Sequence, residues 1–199
     1  MASTLDAWGR PMGESNANPF AGFDIGVRIK DCVLERLATT TDGAPDRACV
    51  VAGEIAWDDC ECGQLTVAMG PMYEASGTTL ARATTETPGR RECGPPLFVF
   101  TYVVTILRCA PTGTNTAPPT CDELEATARG ASEDAWAVRA GVICCLSSAI
   151  SDQLPNGTKL YVDFTTGTQT FVGPQGACMG SALPVTVAIQ NGCYPCEVS

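Results

Sequence analysis

The clearest hydrophobic patterning lies in two neighbouring segments. From Leu97 to Leu107 (Leu-Phe-Val-Phe-Thr-Tyr-Val-Val-Thr-Ile-Leu), β-branched and aromatic residues occupy both alternating faces. Phe98, Phe100, Tyr102, Val104 and Ile106 share one side of an extended chain, and Leu97, Val99, Val103 and Leu107 share the other. A strand apolar on both sides belongs in the middle of a sheet, with each face covered. After a Pro/Thr-rich loop over 110–120, the period changes. Leu124, Ala128, Ala131, Ala135, Val138, Val142, Leu146 and Ala149 recur at three- and four-residue steps, the spacing of an apolar helix stripe. Thr120 and Glu123 supply its start as a capping box. The hydroxyl accepts from a backbone N–H, and the carboxylate reaches back to the cap residue's own N–H.

Weaker patterns place the remaining elements. Ile25, Ile29, Cys32, Val33 and Leu37 share one face of a helix predicted over 19–38, which Gly43 and Pro45 stop. Residues 49–52 read as a short strand, and 64–69 as a second, with Leu65, Val67 and Met69 on one side. Further strands are predicted over 159–164 and 169–172, joined by the turn Thr165-Thr166-Gly167-Thr168. The last covers 183–189, after a loop from Gly173 to Gly180. Residues 1–18 are polar, without period, and form an N-terminal arm. The Thr-, Gly- and Pro-rich stretch 70–96 is a long excursion between strands, and residues 191–199 form a C-terminal tail. This order predicts one α+β domain over 19–190. Its mainly antiparallel sheet packs against the long amphipathic helix and the N-terminal helix.

Composition narrows the functional classes. The 199 residues are 45% hydrophobic, enough for a sizeable core. No apolar run approaches the ~20 residues of a bilayer span. The opening Met-Ala-Ser-Thr-Leu-Asp has neither the basic region nor the apolar core of an export signal. Synthesis in a cytoplasm, with no membrane partner, is expected. The formal net charge of −10 argues against wrapping a nucleic-acid backbone, where affinity comes from Lys and Arg neutralising phosphates.

Twelve cysteines and no histidine change the picture more. Dense cysteine usually marks a short secreted scaffold, and neither property is expected here. Two explanations stay open: buried thiols acting as small hydrophobes, or disulfides that form once the protein leaves a reducing cell. Cys60, Cys62, Cys93, Cys109, Cys144, Cys145, Cys178, Cys193 and Cys196 are candidates for pairing, with connectivity undetermined. Cys193-Tyr-Pro-Cys196 has redox-dithiol spacing, but the helix such a motif needs has no room in the three residues that follow. A disulfide or a pair of thiols is the plainer reading. Cys60 and Cys62 with Cys193 and Cys196 would supply four thiolates for zinc, yet the Cys-x-x-Cys spacing occurs there only once. No metal or other cofactor is expected. Adjacent Cys144 and Cys145 point ~100° apart on a helix, so one faces the core and the other a neighbouring element.

Asp58-Asp59 after Trp57 suits an acid/base or cation pair, and equally the cap of a turn before a strand. With no histidine, no phosphate-binding loop and no Gly-x-Ser-x-Gly, nothing completes a catalytic set, and the chain is not expected to be an enzyme. Arg82, Arg90 and Arg91 form a basic patch in an acidic chain, either a solvated loop or a docking surface for an acidic partner. These arginines, with Trp57, Asp58 and Asp59, are the interface candidates.

Several phrases together resemble a known family. They are Val50-Val-Ala-Gly53-Glu-Ile-Ala-Trp57-Asp-Asp-Cys60 running on to Cys62-Gly-Gln-Leu65, and the strand closing in Leu107-Arg108-Cys109-Ala110-Pro111. The helix from Leu124 to Cys144-Cys145 and Gly173-Pro-Gln-Gly-Ala-Cys178-Met-Gly180 complete the set. The chain is similar over 20–190 to head–tail neck proteins of long-tailed actinobacterial phages, of the tail-terminator type. The resemblance implies a compact α+β fold and a virion protein that forms a hexameric ring. That ring caps the tail tube, with the tail-tube protein below it and the head–tail stopper or connector above. Genomic DNA would pass through the lumen without specific binding, since an acidic wall repels it. Unpaired strand edges are ready-made contacts for neighbours, and the arm 1–18 and loop 70–96 are further contact candidates. Alternatives are a stopper, adaptor or tail-tube protein of the same particle. From other classes, a disulfide-stabilised extracellular binding domain and a thiol oxidoreductase remain.

Overall fold

A computed structural model describes residues 21–53, 63–75, 97–113, 117–149, 163–175 and 177–190. In chain order these form α1 (Ala21–Leu37), β1 (Arg47–Ala52), β2 (Gln64–Ala75), β3 (Leu97–Cys109), α2 (Cys121–Ala149), β4 (Asp163–Thr166), β5 (Thr170–Gln175) and β6 (Cys178–Gln190). The strands make one six-stranded sheet in the order β1-β2-β3-β6-β4, with β5 also paired to β6. As its two apolar faces predict, β3 is central, and it runs antiparallel to β2 and β6. The β1–β2 pair is parallel, so the sheet is mixed. The fold is α+β, with both helices packed on one face of the sheet.

Strand register explains which side chains build the core. Residues directly opposite in antiparallel strands share a face. Val67, Val104 and Leu183 therefore form one row, and Phe100, Val187 and Phe164 another. These rows meet Ile25, Ile29, Val33 and Leu37 of α1 and Val138, Val142 and Leu146 of α2. Each fully buried aliphatic side chain contributes about 1.5–3 kcal/mol. The far face is less apolar than β3 alone suggests. Thr66 and Thr105, and Thr101 and Thr186, are cross-strand partners there. Ala75, Val99 and Ala188 make a small buried cluster on that side, whereas Val103 is exposed.

The capping box at the start of α2 is present. Glu123 Oε2 accepts from Thr120 N–H at 2.8 Å, and Thr120 Oγ1 accepts from Glu123 N–H at 3.3 Å. Those backbone and side-chain hydrogen bonds from Thr120 hold the Glu123 carboxyl below its ordinary range. The buried stripe of α2 nonetheless starts at Ala131, with Leu124 and Ala128 exposed. The first turns of this helix line an open groove through Asp122, Glu125, Ala126 and Arg129, residues outside the apolar stripe.

Further along, α2 approaches α1 closely. A Cβ on Gly141 would stand 3.0 Å from Val33 Cα, so glycine sets the distance between the two helices. Cys32 and Cys145 form a disulfide beside that contact, with Cα atoms 5.9 Å apart. The α1 N-terminus is tied to β3 by Tyr102, which is 1% exposed and donates its hydroxyl to Gly22 O at 2.6 Å. Burial raises the Tyr102 phenol above its ordinary range.

Three boundaries differ from the sequence pattern, each for a backbone reason. Instead of ending at Met69, β2 continues to Ala75 through a register shift between Met69 and Met72, so residues 70–75 are strand and not excursion. Pro71 brings no N–H to the ladder, and the bulge absorbs it; Thr101 Oγ1 donates to Pro71 O at 2.8 Å. The turn expected over 165–168 is shorter, since β4 runs to Thr166, and the two strands it joins both pair with β6. Pro184 explains their break. N–H and C=O of a strand residue point the same way, and Pro184 O accepts from Gly167 N on the β4–β5 side at 2.8 Å. The missing donor therefore faces 167–169, where pairing stops. Finally, β6 begins at Cys178 and β5 reaches Gln175, so most of the expected loop over 173–180 is a tight hairpin. Among the described residues, no helix is long and apolar enough to cross a membrane.

Candidate functional site

The first turns of α2, the α1–β1 loop and the ends of β3 and β6 surround an open groove of about 910 Å³. Its charged lining consists of Asp42, Asp122, Glu125 and Glu133 against Arg108 and Arg129. Arg108 leaves the end of β3 and donates through Nε to Asp134 Oδ2 at 2.8 Å and through Nη2 to Asp134 Oδ1 at 3.3 Å. This side-on pairing matches two donors to two carboxylate oxygens. Their side chains are 13% and 2% exposed, so the pair lies in the interior. The guanidinium also reaches Gly43 O, and Thr40 Oγ1 donates to Asp134 Oδ1 at 3.2 Å. Thr41 N–H donates to Glu133 Oε1 at 3.2 Å.

One buried carboxylate thereby fixes the α1–β1 loop, the end of β3 and the middle of α2 together. The groove above it has more carboxylates than guanidiniums, which favours a cationic segment over an anionic one. Among the described residues, no three His, Cys, Asp or Glu side chains converge as ligands for a metal.

Much of what the sequence singled out lies elsewhere. Trp57, Asp58, Asp59, Arg82, Arg90 and Arg91, together with Cys60, Cys62, Cys93, Cys193 and Cys196, fall outside the described residues. The rest are placed. Cys145 faces α1 and bonds Cys32, while its neighbour Cys144 is an exposed thiol. Cys178 is buried and disulfide-bonded. Cys109 is an exposed thiol, and so are Cys121 and, half-buried, Cys49.

Sequence reasoning missed Cys32, read only as part of an apolar helix face, and it missed Arg108 and Asp134. A signal for the pair existed. Asp134 lies within the stripe between Ala131 and Val138, and a carboxylate there needs a buried cation. Exposed aromatics were missed too: Trp136 on α2, Phe23 on α1 and Phe171 on β5.

No protein-family model matches the chain, and no curated protein matches it in sequence. Among solved structures, 23 chains match. One is a cryo-EM structure of an extracellular contractile injection system, the PVC sheath/tube terminator in its extended state. Its TM-score is 0.38 with 13% sequence identity, over 89% of this chain and 58% of that one. The chain thus spans a little over half the length of that structure.

Proposed function

We propose that this chain is a structural subunit of a phage neck, a tail terminator that closes as a hexameric ring on the tail tube. The tail-tube protein lies below the ring and the head–tail stopper or connector above it, and genomic DNA passes through without specific binding. The observation that carries the reading is the pair of unlike sheet edges. Among the described residues, the sheet ends in β1 on one side and in β4 and β5 on the other. A ring needs two different surfaces on each subunit, and open strand edges are natural contacts.

The phrases behind the family resemblance support the same reading. Val50–Gly53 closes β1, Gln64 opens β2, Arg108–Cys109 closes β3, and Cys178–Gly180 opens β6. In this reading the arm 1–18, Trp57-Asp58-Asp59 and the segment with Arg82, Arg90 and Arg91 contact neighbouring proteins. The acidic chain of net charge −10 keeps DNA from sticking. The protein is made in a host cytoplasm and works in the virion by assembly, with no chemistry and no cofactor.

Light scattering on the purified protein, with and without reductant, tests this. A closed hexamer, or a monomer that becomes a ring on tail tubes, is the expected result. The Cys32–Cys145 bond and the bonded Cys178 favour one other reading, a disulfide-stabilised extracellular binding domain. A monomer that ignores tail tubes and unfolds on reduction would select that reading.

A further inference from the structure

Because β1 and β2 are parallel, the chain leaving Gly53 must return the length of the pair before β2 can begin. Residues 54–62 make that return, and they lie outside the described residues. Chain chirality fixes the side on which they pass. In an upward strand of L-residues, a residue whose side chain faces the viewer points its own N–H and C=O to the right. Met69 belongs to the helix-bearing face, and its carbonyl accepts from Gly53 N at 3.0 Å. Seen from the helices with both strands upward, β1 therefore lies to the right of β2. From the opposite face, β2 lies to the right of β1. That second view is the one in which a right-handed crossover runs in front of the sheet, and such crossovers are right-handed in ~98% of cases. The helix side is also occupied, since a Cβ on Gly26 of α1 would stand 3.0 Å from Val50 Cγ1 of β1.

The helix-free face is covered at one end. Thr66 and Leu107 are 1% and 2% exposed there, and Thr105 is buried beside them, although both helices stand on the other side. Val103, on the same face but farther along β3, is 38% exposed. Cys178 is buried at the covered end, opposite Cys109 in the ladder. It is disulfide-bonded, and its partner is not a described cysteine. Cys32 holds Cys145, while Cys49, Cys109, Cys121 and Cys144 are thiols. The bond from Cys178 therefore goes to one of Cys60, Cys62, Cys93, Cys193 and Cys196.

Chain length decides among these five. Cys93 is tethered to Leu97, and Cys193 and Cys196 to Gln190, and Leu97 pairs with Gln190 at the far end of the sheet. From that end to Cys178, the 13-residue β6 spans ~40 Å. Cys196 has the longest of the three tethers, and the chain from Gln190 to it covers at most ~22 Å. A disulfide adds no more than ~7 Å between Cα atoms. None of the three reaches. Cys60 and Cys62 start instead from Gly63, where a Cβ would stand 3.1 Å from Leu107 O, at the Cys178 end. Only two strand spacings, ~10 Å, separate β2 from β6, and Gly63, with φ 68° replaced here by 104°, turns the chain out of the line of β2. We infer that residues 54–62 cross the helix-free face of the sheet and are pinned there by a disulfide from Cys60 or Cys62 to Cys178. The segment carries Glu54, Asp58, Asp59 and Glu61 and no Lys or Arg. It gives this end of the face an acidic surface, which repels nucleic acid and attracts cationic partners. The pinning holds whether or not the chain forms a ring.

Disulfide mapping on the full chain, purified without reductant, tests the pinning. Thiols are alkylated in urea, and the chain is cut with cyanogen bromide after Met69 and Met179 and with trypsin after Arg47 and Lys159. Cys60 and Cys62 then lie in peptide 48–69 and Cys178 in peptide 160–179, apart from Cys93, Cys109, Cys193 and Cys196. Peptide 48–69 joined to peptide 160–179 is the expected product, and in the double variant Cys60→Ser, Cys62→Ser the thiol of Cys178 should be alkylated. Wild-type Cys178 joined to any other peptide, or recovered alkylated, overturns the inference. Hydroxyl-radical footprinting of the same variant tests the path over the face. Labelling of Leu107 should rise several-fold while Val67, on the helix-bearing face, keeps its wild-type protection. An unchanged Leu107 overturns the path. Neither readout depends on oligomeric state, so failure here leaves the ring reading standing.

Discussion

The Arg108–Asp134 pair gives the sharpest test of how this fold is held. Replacing Asp134 by Ala strands a guanidinium whose side chain is 13% exposed and removes both of its carboxylate contacts. Breaking a buried pair in this way costs about 3–5 kcal/mol, mostly the penalty of an uncompensated charge. Arg108 keeps the Gly43 carbonyl, and Thr40 is free to give its one hydroxyl proton to Leu37 O at 2.8 Å, so the lower half of that range is expected. Against a total stability of roughly 5–15 kcal/mol the loss is large. At about 2–4 °C per kcal/mol, the melting temperature should fall by roughly 6–16 °C. The double variant Arg108→Met, Asp134→Leu removes both charges and should recover most of the loss, because the pair's net contribution is small once desolvation is counted. Urea unfolding of wild type, Arg108→Met, Asp134→Leu and the double variant completes a cycle that gives the coupling directly. Additive losses, or a cost below about 1 kcal/mol for Asp134→Ala, would refute the idea that the pair is buried and mutually dependent.

The other expectations concern single contacts. The Cys32–Cys145 bond spans a sequence separation of 113, for which the chain-entropy model gives about 5 kcal/mol. Cys32→Ser should lower the unfolding midpoint, and adding reductant to that variant should shift it less than in wild type. Tyr102→Phe leaves Gly22 O without its donor and should cost about 1 kcal/mol in urea unfolding. The raised Tyr102 pKa favours the protonated folded state, so its contribution is complete below about pH 10 and declines above it. An ultraviolet titration should therefore show Tyr102 ionising only as the fold opens. Glu123 is shifted down, so its cap contact is present above the ordinary carboxylate pKa and disappears as pH falls through the folded value. Amide exchange at the α2 N-terminus should accelerate over that acid range, and Glu123→Gln should abolish the acid dependence.

Hydrophobic period and local backbone chemistry determined much of this protein directly. The central position of β3 follows from apolar residues on both of its faces, and the start of α2 from Thr120 and Glu123, because these signals act between residues close in sequence. The Pro71 bulge and the Pro184 break were also written locally, as missing donors, although only the pairing partners show what those gaps do. Tertiary structure alone decided the rest. Arg108 meets Asp134 because the end of β3 runs under the middle of α2, and Cys32 meets Cys145 because Gly141 lets two helices approach. Leu124 fits the helical stripe as well as Val138 does, yet it is exposed while Val138 is buried in the core shared with α1 and the sheet. A periodic pattern states which side of an element is apolar. What lies opposite that side depends on how distant segments cross, and no local signal encodes the crossing.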